Sequence, residues 1–504
     1  MKLFGSGLGR ICGVAAASTA REMAKLVRLA VQETPTVELR LDWLQDDSER
    51  KKLLAWLLRS DWKGTTLLVT CRRKMGGGEF EGDAGAELHW LMQARQAGCA
   101  WCDVEVETMR QLPQASVREF PVPPKVMLSI HDFRQTPPLA KKIKVLCSGR
   151  VDAVKIAAMS RTIADSVRML KLVRTSRQVI VVPMGEVGLP ARILALREGS
   201  ALAYAPLARA TAPGQVSLRE MKELYRAHLL TRKTAVYGVI GNPIGHSLSP
   251  LLHNTGYIAA RLDAVFLPFL VKTLGDFLNS VLDFSVRGFS VTIPYKQTVM
   301  RHLHECEPLA AKIGAVNTVT VRRDGTLHGS NTDYLGVLRA LENRIVLKDS
   351  RVLIFGAGGA ARAAAFAVAK VGAQVFVCAR REKAARGLAR AVEGESVAQA
   401  ALRSMNFDVV VNCTSAGMYP HEGISPLAAA ELNCSLVFDL IYRPLQTKLL
   451  QIAAAKGIKT LSGAEMFLAQ GIAQWELWMK RRAPEAEMRK AVLAALKAKR
   501  RVLG

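Results

Sequence analysis

Up to about residue 230, short apolar runs recur roughly every 25 residues, with helix-patterned stretches between them. In order they are ICGVAAA, TVELRLD, TTLLVTCR, WCDVEVE, KVMLSIHD, DAVKIAA, QVIVVPMG and ALAYAPL. Strands alternating with helices in this number predict a closed (β/α)8 barrel of the TIM type. Active sites of that fold lie at the C-terminal strand ends. Those ends carry Glu38, Arg40, Asp42, Arg72, Glu105, His131 and Lys155, with Arg192 following the seventh strand. Polar groups at one end of so many strands converge on a single pocket.

The pattern then starts again in ELYRAHLLTRKTAVYGVIGNPIGHSLSPL. ELYRAHLL reads as a short amphipathic helix, Arg232 and Lys233 as a charged joint, and AVYGVIG as a strand. A Gly/Pro/Ser-rich loop with Ser247 and Ser249 follows, which is how a fresh α/β unit opens. Two complete enzymes joined head to tail are expected, the first over 1–230 and the second over 233–504. Residues 233–335 form an α/β lobe with three polar clusters, GNPIGHSLSP, GFSVTIPYK, and AVNTV with GSNTDYLG. These clusters alone name no reaction. Ser247 and Ser249 are also placed to cap a helix starting near Pro250. Lys296 also suits an ordinary strand-to-helix turn, and Asp333 an N-cap.

RVLIFGAGGAARAAAFAVAKVGAQVFVCARR, residues 351–381, runs strand, glycines, Ala-rich helix, strand. That context, more than the glycines alone, marks a Rossmann-like dinucleotide lobe, expected over 336–470 with C-terminal helices in 471–504. Gly356, Ala357, Gly358, Gly359 and Ala360 form the turn on which a pyrophosphate rests at a helix N-terminus. An acidic residue at the tip of the second strand selects NAD; Arg380 and Arg381 stand there instead and favour the 2′-phosphate of NADP.

The chain has 504 residues, 50% of them apolar, which excludes disorder. No apolar run approaches the ~20 residues of a membrane span, and no membrane partner is expected. Lys2 and Arg10 before an apolar run faintly imitate a signal peptide, but the run is short and broken by Gly13. It reads as a first buried strand closed by Ser18 and Thr19. Nine cysteines in apolar segments suit a reduced, cytoplasmic setting. Cys99 and Cys102 form a lone C-x-x-C and read as core residues, and none of the nine histidines sits in an H-E-x-x-H, so no metal is expected. The net charge of +27 is scattered, with clusters at KAKRR and around Arg380. No nucleic-acid motif accompanies it, so it reads as a solvated surface that favours small anionic substrates.

A strand lysine such as Lys155 is often ion-paired or snorkelling. In a barrel mouth, desolvation and nearby cations favour a free amine, which forms an imine with a ketone. His131 is the proton carrier beside it, and Arg72 and Arg192 suit a carboxylate. ELRLD, TCRR, SIHDF, DAVKIA, PMGEVGLPAR and TAPGQ together resemble type I 3-dehydroquinate dehydratase over residues 8–225. The resemblance implies that Lys155 forms a Schiff base with 3-dehydroquinate and that His131 removes the C2 proton and assists loss of the C1 hydroxyl, giving 3-dehydroshikimate. It implies Glu38, Arg40 and Arg72 on ring hydroxyls, Arg192 on the carboxylate, and Thr211 and Gln215 in a closing loop. The family commonly has an acidic residue supporting the histidine where this chain has Gly76; either Glu79 substitutes or the histidine lacks that support.

GNPIGHSLSP, VTIPYK, IGAVNT, NTDYLG, GAGGAAR, NCTSAGM, DLIYRP and AEMFLAQG resemble shikimate dehydrogenase over residues 236–500. This implies Lys296 and Asp333 at the reacting oxygen and Ser247 and Ser249 on the carboxylate. It further implies Thr292, Asn317, Tyr442 and Gln470 on ring hydroxyls, Leu440 and Gly463 near the nicotinamide, and NADPH as reductant of 3-dehydroshikimate to shikimate. The usual Asn-Arg-Thr of the adenosine-phosphate end is Ala379-Arg380-Arg381 here, which loses an amide and a hydroxyl but adds charge. The intact Ser249 favours shikimate over quinate. The readings in competition are a quinate-metabolising enzyme and a chain with one half degenerate and kept for assembly. The tail MKRRAPEAEMRKAVLAALKAKRRVLG reads as a basic amphipathic helix packed on the enzyme and partly solvated.

Overall fold

The computed structural model describes residues 4, 7–111, 125–138, 151–176, 178–207, 216–342, 344–418 and 421–498. They form two compact units, Met1–Ala235 with Pro268–Ser285, and Val236–Leu267 with Val286–Gly504.

The first unit holds β1 (Ile11–Ala15), β2 (Thr36–Arg40), β3 (Thr66–Thr70), β4 (Trp101–Glu105), β5 (Lys125–Asp132), β6 (Ala153–Met159), β7 (Val179–Met184) and β8 (Ala203–Pro206). They pair in parallel in the order β7-β6-β5-β4-β3-β2-β1-β8, a nearly closed barrel where the sequence predicts a closed one. β1, β2 and β4 are buried at every position, as parallel strands are when helices cover one face and other strands the other. Cys12, Leu68, Trp101, Met127, Ala153, Ile180 and Tyr204 pack with one another in one core cluster. Trp101, at the start of β4, stacks on Phe4 with ring centroids 4.3 Å apart. A second cluster joins helix residues at i, i+4, i+7 spacing (Met23, Val27, Ala30) to Val37, Leu39, Leu67 and Val69 of the strands. Thr19, Asp46 and Asp83 cap the first three helices, each accepting from the amide three residues on.

ELYRAHLL does not form one helix. A π-turn at Glu220–Leu224 gives way to a 3-10 turn at Ala227–Leu229, because Arg226 between them has φ 47°. A left-handed residue breaks the i to i−4 ladder. The carbonyls of His228 and Leu230 accept instead from Arg10, at 3.4 and 3.1 Å.

The second α/β segment contains β9 (Ala235–Gly241), β10 (Ala264–Leu270), β11 (Val286–Val291), β12 (Glu305–Cys306), β13 (Thr318–Val321) and β14 (Leu327–Ser330), in the order β10-β9-β11-β13-β14-β12. The sheet is mixed: β9 and β11 run parallel, while β11, β13 and β14 pair antiparallel. A third sheet has β15 (Arg351–Phe355), β16 (Gln374–Cys378), β17 (Glu395–Ser396), β18 (Phe407–Asn412), β19 (Cys434–Asp439) and β20 (Lys459–Ser462). Its parallel order β17-β16-β15-β18-β19-β20 is the doubly wound dinucleotide-binding arrangement, with its switch point between β15 and β18. Side chains alternate between two cores: Val352 and Ile354 lie in one, Leu353 and Phe355 in the other. Positions 335 and 470, expected as lobe boundaries, fall inside helices Asp333–Glu342 and Ala464–Met479. Gly336 allows those helices to meet, since a Cβ there would lie 2.9 Å from the Met466 carbonyl oxygen. The tail helix Glu485–Ala498 buries Met488 and Val492 and pairs Arg489 with Glu465 at 2.9 Å.

Pro268–Ser285, placed by the sequence in the substrate lobe, groups with the barrel unit. The Asp276 carboxylate accepts from the amides of Ile163 and Ala164 at 2.7 and 3.2 Å, at the start of helix Ile163–Val173, and Lys171 pairs with Asp283 at 2.9 Å. These amides lack intrahelical partners, so Asp276→Ala lowers the stability of this unit by about 1–2 kcal/mol. Asp276→Asn, which keeps one acceptor, costs less. Urea unfolding of the full chain checks both.

Candidate active sites

At the C-terminal ends of β2 to β6 the barrel buries a continuous set of charges. Lys155 Nζ lies 2.7 Å from Asp103 Oδ2 and 3.5 Å from Glu38 Oε1. Arg72 reaches Asp103 at 3.3 Å and Glu105 at 3.4 Å, and Arg40 pairs with Asp42 at 2.6 Å. Thr70 donates to Glu38 at 2.7 Å, and the Tyr204 ring centroid lies 4.2 Å from Lys155 Nζ. His131 Nδ1 stands 3.8 Å from Glu105 Oε1. Thus Glu38, Arg72, Glu105, His131 and Lys155 meet, and the nearest ion-pair partners of Lys155 are carboxylates where cations were expected. Arg192 is buried, with Nε and Nη2 donating to the Pro183 carbonyl at the end of β7 at 3.1 and 2.9 Å. Thr211 and Gln215 lie outside the described residues.

Burial alone would raise Asp103, but Lys155 and Arg72 outweigh it and hold the carboxyl below its ordinary value. Burial pushes Glu105 up to about 7, with Arg72 opposing and Asp103 reinforcing. Burial pushes His131 well below its ordinary value, and Arg72, Lys155 and Arg40 add to the effect. A neutral imidazole beside a buried amine suits proton abstraction next to an imine.

In the second unit, a cleft of about 410 Å³ is lined by Ser247, Ser249, Thr292, Lys296, Asn317, Asp333, Tyr442 and Gln470, with Ala360, Leu440 and Gly463 also on its walls. Lys296 Nζ meets Asp333 Oδ2 at 2.5 Å, and Asn317 Nδ2 donates to Asp333 Oδ1 at 2.8 Å. Asp333 is therefore held by its carboxylate instead of serving as an N-cap; Asn331 Oδ1 accepts its amide at 2.9 Å. Ser247 does play a local role, accepting from the Ser249 amide at 3.2 Å. Tyr442 stacks on Phe467 with centroids 4.5 Å apart. Gly463 permits the wall to close, because a Cβ there would lie 2.1 Å from the Leu440 carbonyl oxygen.

Gly356 has φ +123°, and a Cβ at Gly358 would meet nothing within 4 Å, so the turn opens onto free space. Helix Gly359–Lys370 starts there with no side-chain cap. Ala379 is half-buried, and Arg380 and Arg381 are exposed just beyond β16. Open backbone, free helix amides and two cations fit a phosphorylated dinucleotide.

Three families match in sequence. Type I 3-dehydroquinase covers residues 11–231, the shikimate dehydrogenase substrate binding domain 239–319, and the shikimate 5′-dehydrogenase C-terminal domain 463–493. The bifunctional 3-dehydroquinate dehydratase/shikimate dehydrogenase of Arabidopsis thaliana, named as chloroplastic, is 33% identical over 474 residues, covering 89% of this chain and 78% of the relative. The chain belongs to this bifunctional family.

A shikimate dehydrogenase (NADP(+)) of Bacillus cereus is 39% identical over 273 residues, covering 52% of this chain and 98% of the relative. The solved shikimate dehydrogenase of Thermus thermophilus, in complex with NADP(H) and shikimate, is 34% identical and covers 52% of this chain and 99% of its own, at a TM-score of 0.48. The bifunctional enzyme thus pairs a lyase barrel with an oxidoreductase of the shikimate pathway.

Sequence reasoning missed several members of these sites. Asp103, fully enclosed and closest to Lys155, lies two residues before Glu105, so the strand period of 2 places both on one face. Gln474 accepts from Ser290 at 2.7 Å and donates to Thr318 at 3.0 Å; it follows Gln470 by one helical turn. Glu79 does not stand beside His131: its side chain is exposed and its amide donates to Asp42 at 3.3 Å. The nearby carboxylate is Glu105. Asp103→Ala strips Lys155 and Arg72 of a shared buried counter-charge and costs about 3–5 kcal/mol, read as a lower denaturant midpoint for the barrel unit.

Proposed function

We propose that Lys155 and His131 carry the dehydration of 3-dehydroquinate, and Lys296 and Asp333 the reduction of its product. Lys155 Nζ attacks the C3 ketone and water leaves, forming an iminium that acidifies C2–H. His131 takes the C2 proton, giving an enamine, and returns it to the C1 hydroxyl as that group departs as water. Hydrolysis releases 3-dehydroshikimate and restores the amine. The carrying observation is the buried run from Lys155 through Asp103, Arg72 and Glu105 to His131. Glu38, Arg40 and Arg72 hold ring hydroxyls, Arg192 the carboxylate, and Thr211 and Gln215 belong to the closing loop.

In the cleft, Ser247 and Ser249 bind the carboxylate of 3-dehydroshikimate, and Thr292, Asn317, Tyr442 and Gln470 bind its hydroxyls. The short Lys296–Asp333 pair supports a proton-donating role: Lys296 gives a proton to the carbonyl oxygen as it becomes an alkoxide, and Asp333 orients Nζ. NADPH, when bound, supplies the hydride. Gly356, Ala357, Gly358, Gly359 and Ala360 hold its pyrophosphate, Arg380 and Arg381 its 2′-phosphate, and Leu440 and Gly463 lie against its nicotinamide. The NADP(+) name of the Bacillus cereus relative supports this choice.

We assign 1–230 to the dehydratase and 233–504 to the dehydrogenase, with 233–335 binding substrate, 336–470 binding cofactor, and 471–504 supplying C-terminal helices. Partners are the small anions of the pathway, without nucleic acid or membrane. Eight free cysteines among the described residues, five of them buried, support a reducing compartment such as the cytoplasm. No helix among the described residues is long and apolar enough to cross a membrane.

One coupled assay tests the pair of reactions. The chain given 3-dehydroquinate and NADPH oxidises the cofactor; Lys155→Ala abolishes this, and 3-dehydroshikimate restores it. Failure on both substrates overturns the reading. Arg380→Ala with Arg381→Ala raises the KM for NADPH about tenfold or more and leaves that for NADH nearly unchanged, because each charge-assisted bond contributes roughly 1.5–3 kcal/mol. Steady-state kinetics with both cofactors checks this.

A further inference from the structure

Gly76 and Glu105 compete for one volume. A Cβ built at Gly76 would lie 1.9 Å from Glu105 Oε1 and 2.6 Å from Oε2. The Glu105 carboxylate thus occupies the space into which a side chain at position 76 would project. Gly76 is absent from the positive-φ glycines, so its backbone accepts an L side chain. What the glycine supplies is room.

From that place Glu105 faces His131 at 3.8 Å, and both side chains are almost wholly buried. Neither ring nitrogen of His131 nor Glu105 Oε2 has a hydrogen-bond partner among the described residues. Ring nitrogens left without a partner at this depth are costly unless a working state of the site supplies one, and the carboxylate oxygen that stands nearest Nδ1 is Glu105 Oε1. When His131 takes the C2 proton it becomes a cation in a site already holding Arg72 and Arg40. A carboxylate beside it offsets that repulsion.

We infer that Glu105 is the positioning residue of His131, orienting its ring and stabilising its protonated form, and that Gly76 exists to admit it. This rests on the Lys155 and His131 reading of the barrel. The groups facing Glu105 are Arg72 and Arg73 after β3, Glu87 on helix Ala84–Gln96, Asp103 on its own strand, Glu107 on the following helix Val106–Gln111, and His131 on β5. Burial raises Glu105 to about 7, while His131 is held well below its ordinary value and stays neutral through that range. Glu105 is therefore ionised, and supports His131, above about 7, and loses that support as the pH falls through it. The dehydratase kcat should drop on the acid side with this midpoint.

The test follows formation of the conjugated enone from 3-dehydroquinate across pH, together with borohydride trapping of substrate on Lys155 by mass. Glu105→Gln is expected to lower kcat about 100-fold, flatten the acid limb and still trap substrate. Gly76→Glu placed in a Glu105→Ala background should regain at least about tenfold in kcat over Glu105→Ala alone, since the carboxylate returns from the other side of the same space. Trapped adduct with wild-type kcat and an unchanged acid limb in Glu105→Gln would overturn this inference alone. So would a double variant no faster than Glu105→Ala. A wild-type chain that turns over without any trapped adduct would overturn the Lys155 reading, and this inference with it.

Discussion

The Asp103 side chain lies without exposure between Lys155 and Arg72, and the barrel mouth is arranged around that fact. A buried cation without a counter-charge costs several kcal/mol, so the mouth can hold Arg40, Arg72 and Lys155 only with Glu38, Asp42, Asp103 and Glu105 interleaved. The alternation is geometric as well as electrostatic. Residues two apart on a strand share a face, so Asp103 with Glu105 and Glu38 with Arg40 enter the same space. Once Asp103 fixes Lys155 and Arg72, the remaining freedom belongs to Glu105 and His131, whose Oε1 and Nδ1 stand 3.8 Å apart.

The second site obeys the same constraint with fewer charges. Lys296 and Asp333 neutralise each other, and Asn317 takes the other carboxylate oxygen, so Asp333 has little freedom to turn. Here close approach does the shaping. Gly463 lets β20 pass onto its helix against the Leu440 carbonyl, and Gly336 lets helix Asp333–Glu342 lie on helix Ala464–Met479. These two helices supply Asp333 and Gln470 to the cleft while running across the positions where a sequence reading would cut one lobe from the next.

The two reactions belong to consecutive steps, the product of the barrel being the substrate of the cleft. Lys155 and His131 fall in one compact unit, and Lys296 and Asp333 in the other. The segment Pro268–Ser285 nevertheless belongs with the barrel unit, through Asp276 on the amides of Ile163 and Ala164 and Lys171 on Asp283. Chain order and compact unit are thus not the same division.

The sequence by itself determined whatever depends on local periodicity and on residue type at fixed spacing. Eight apolar runs are eight parallel strands, the polar residues at their ends include Lys155 and His131, and the strand–glycine–helix turn opens the doubly wound sheet. Those signals survive in one dimension because burial on both faces and a tight turn each leave a short-range imprint. Tertiary structure decided the rest. Arg226 turns left-handed and splits an expected helix whose freed carbonyls find Arg10, far away in the chain. Asp103 reads as an ordinary strand residue until β6 brings Lys155 against it. Gly76 reads as a lost acidic support, with Glu79 its candidate substitute, until Glu105 is seen filling the space of its missing side chain. Each of these depends on which groups distant in sequence must share one low-dielectric space, and spacing along the chain carries no record of that.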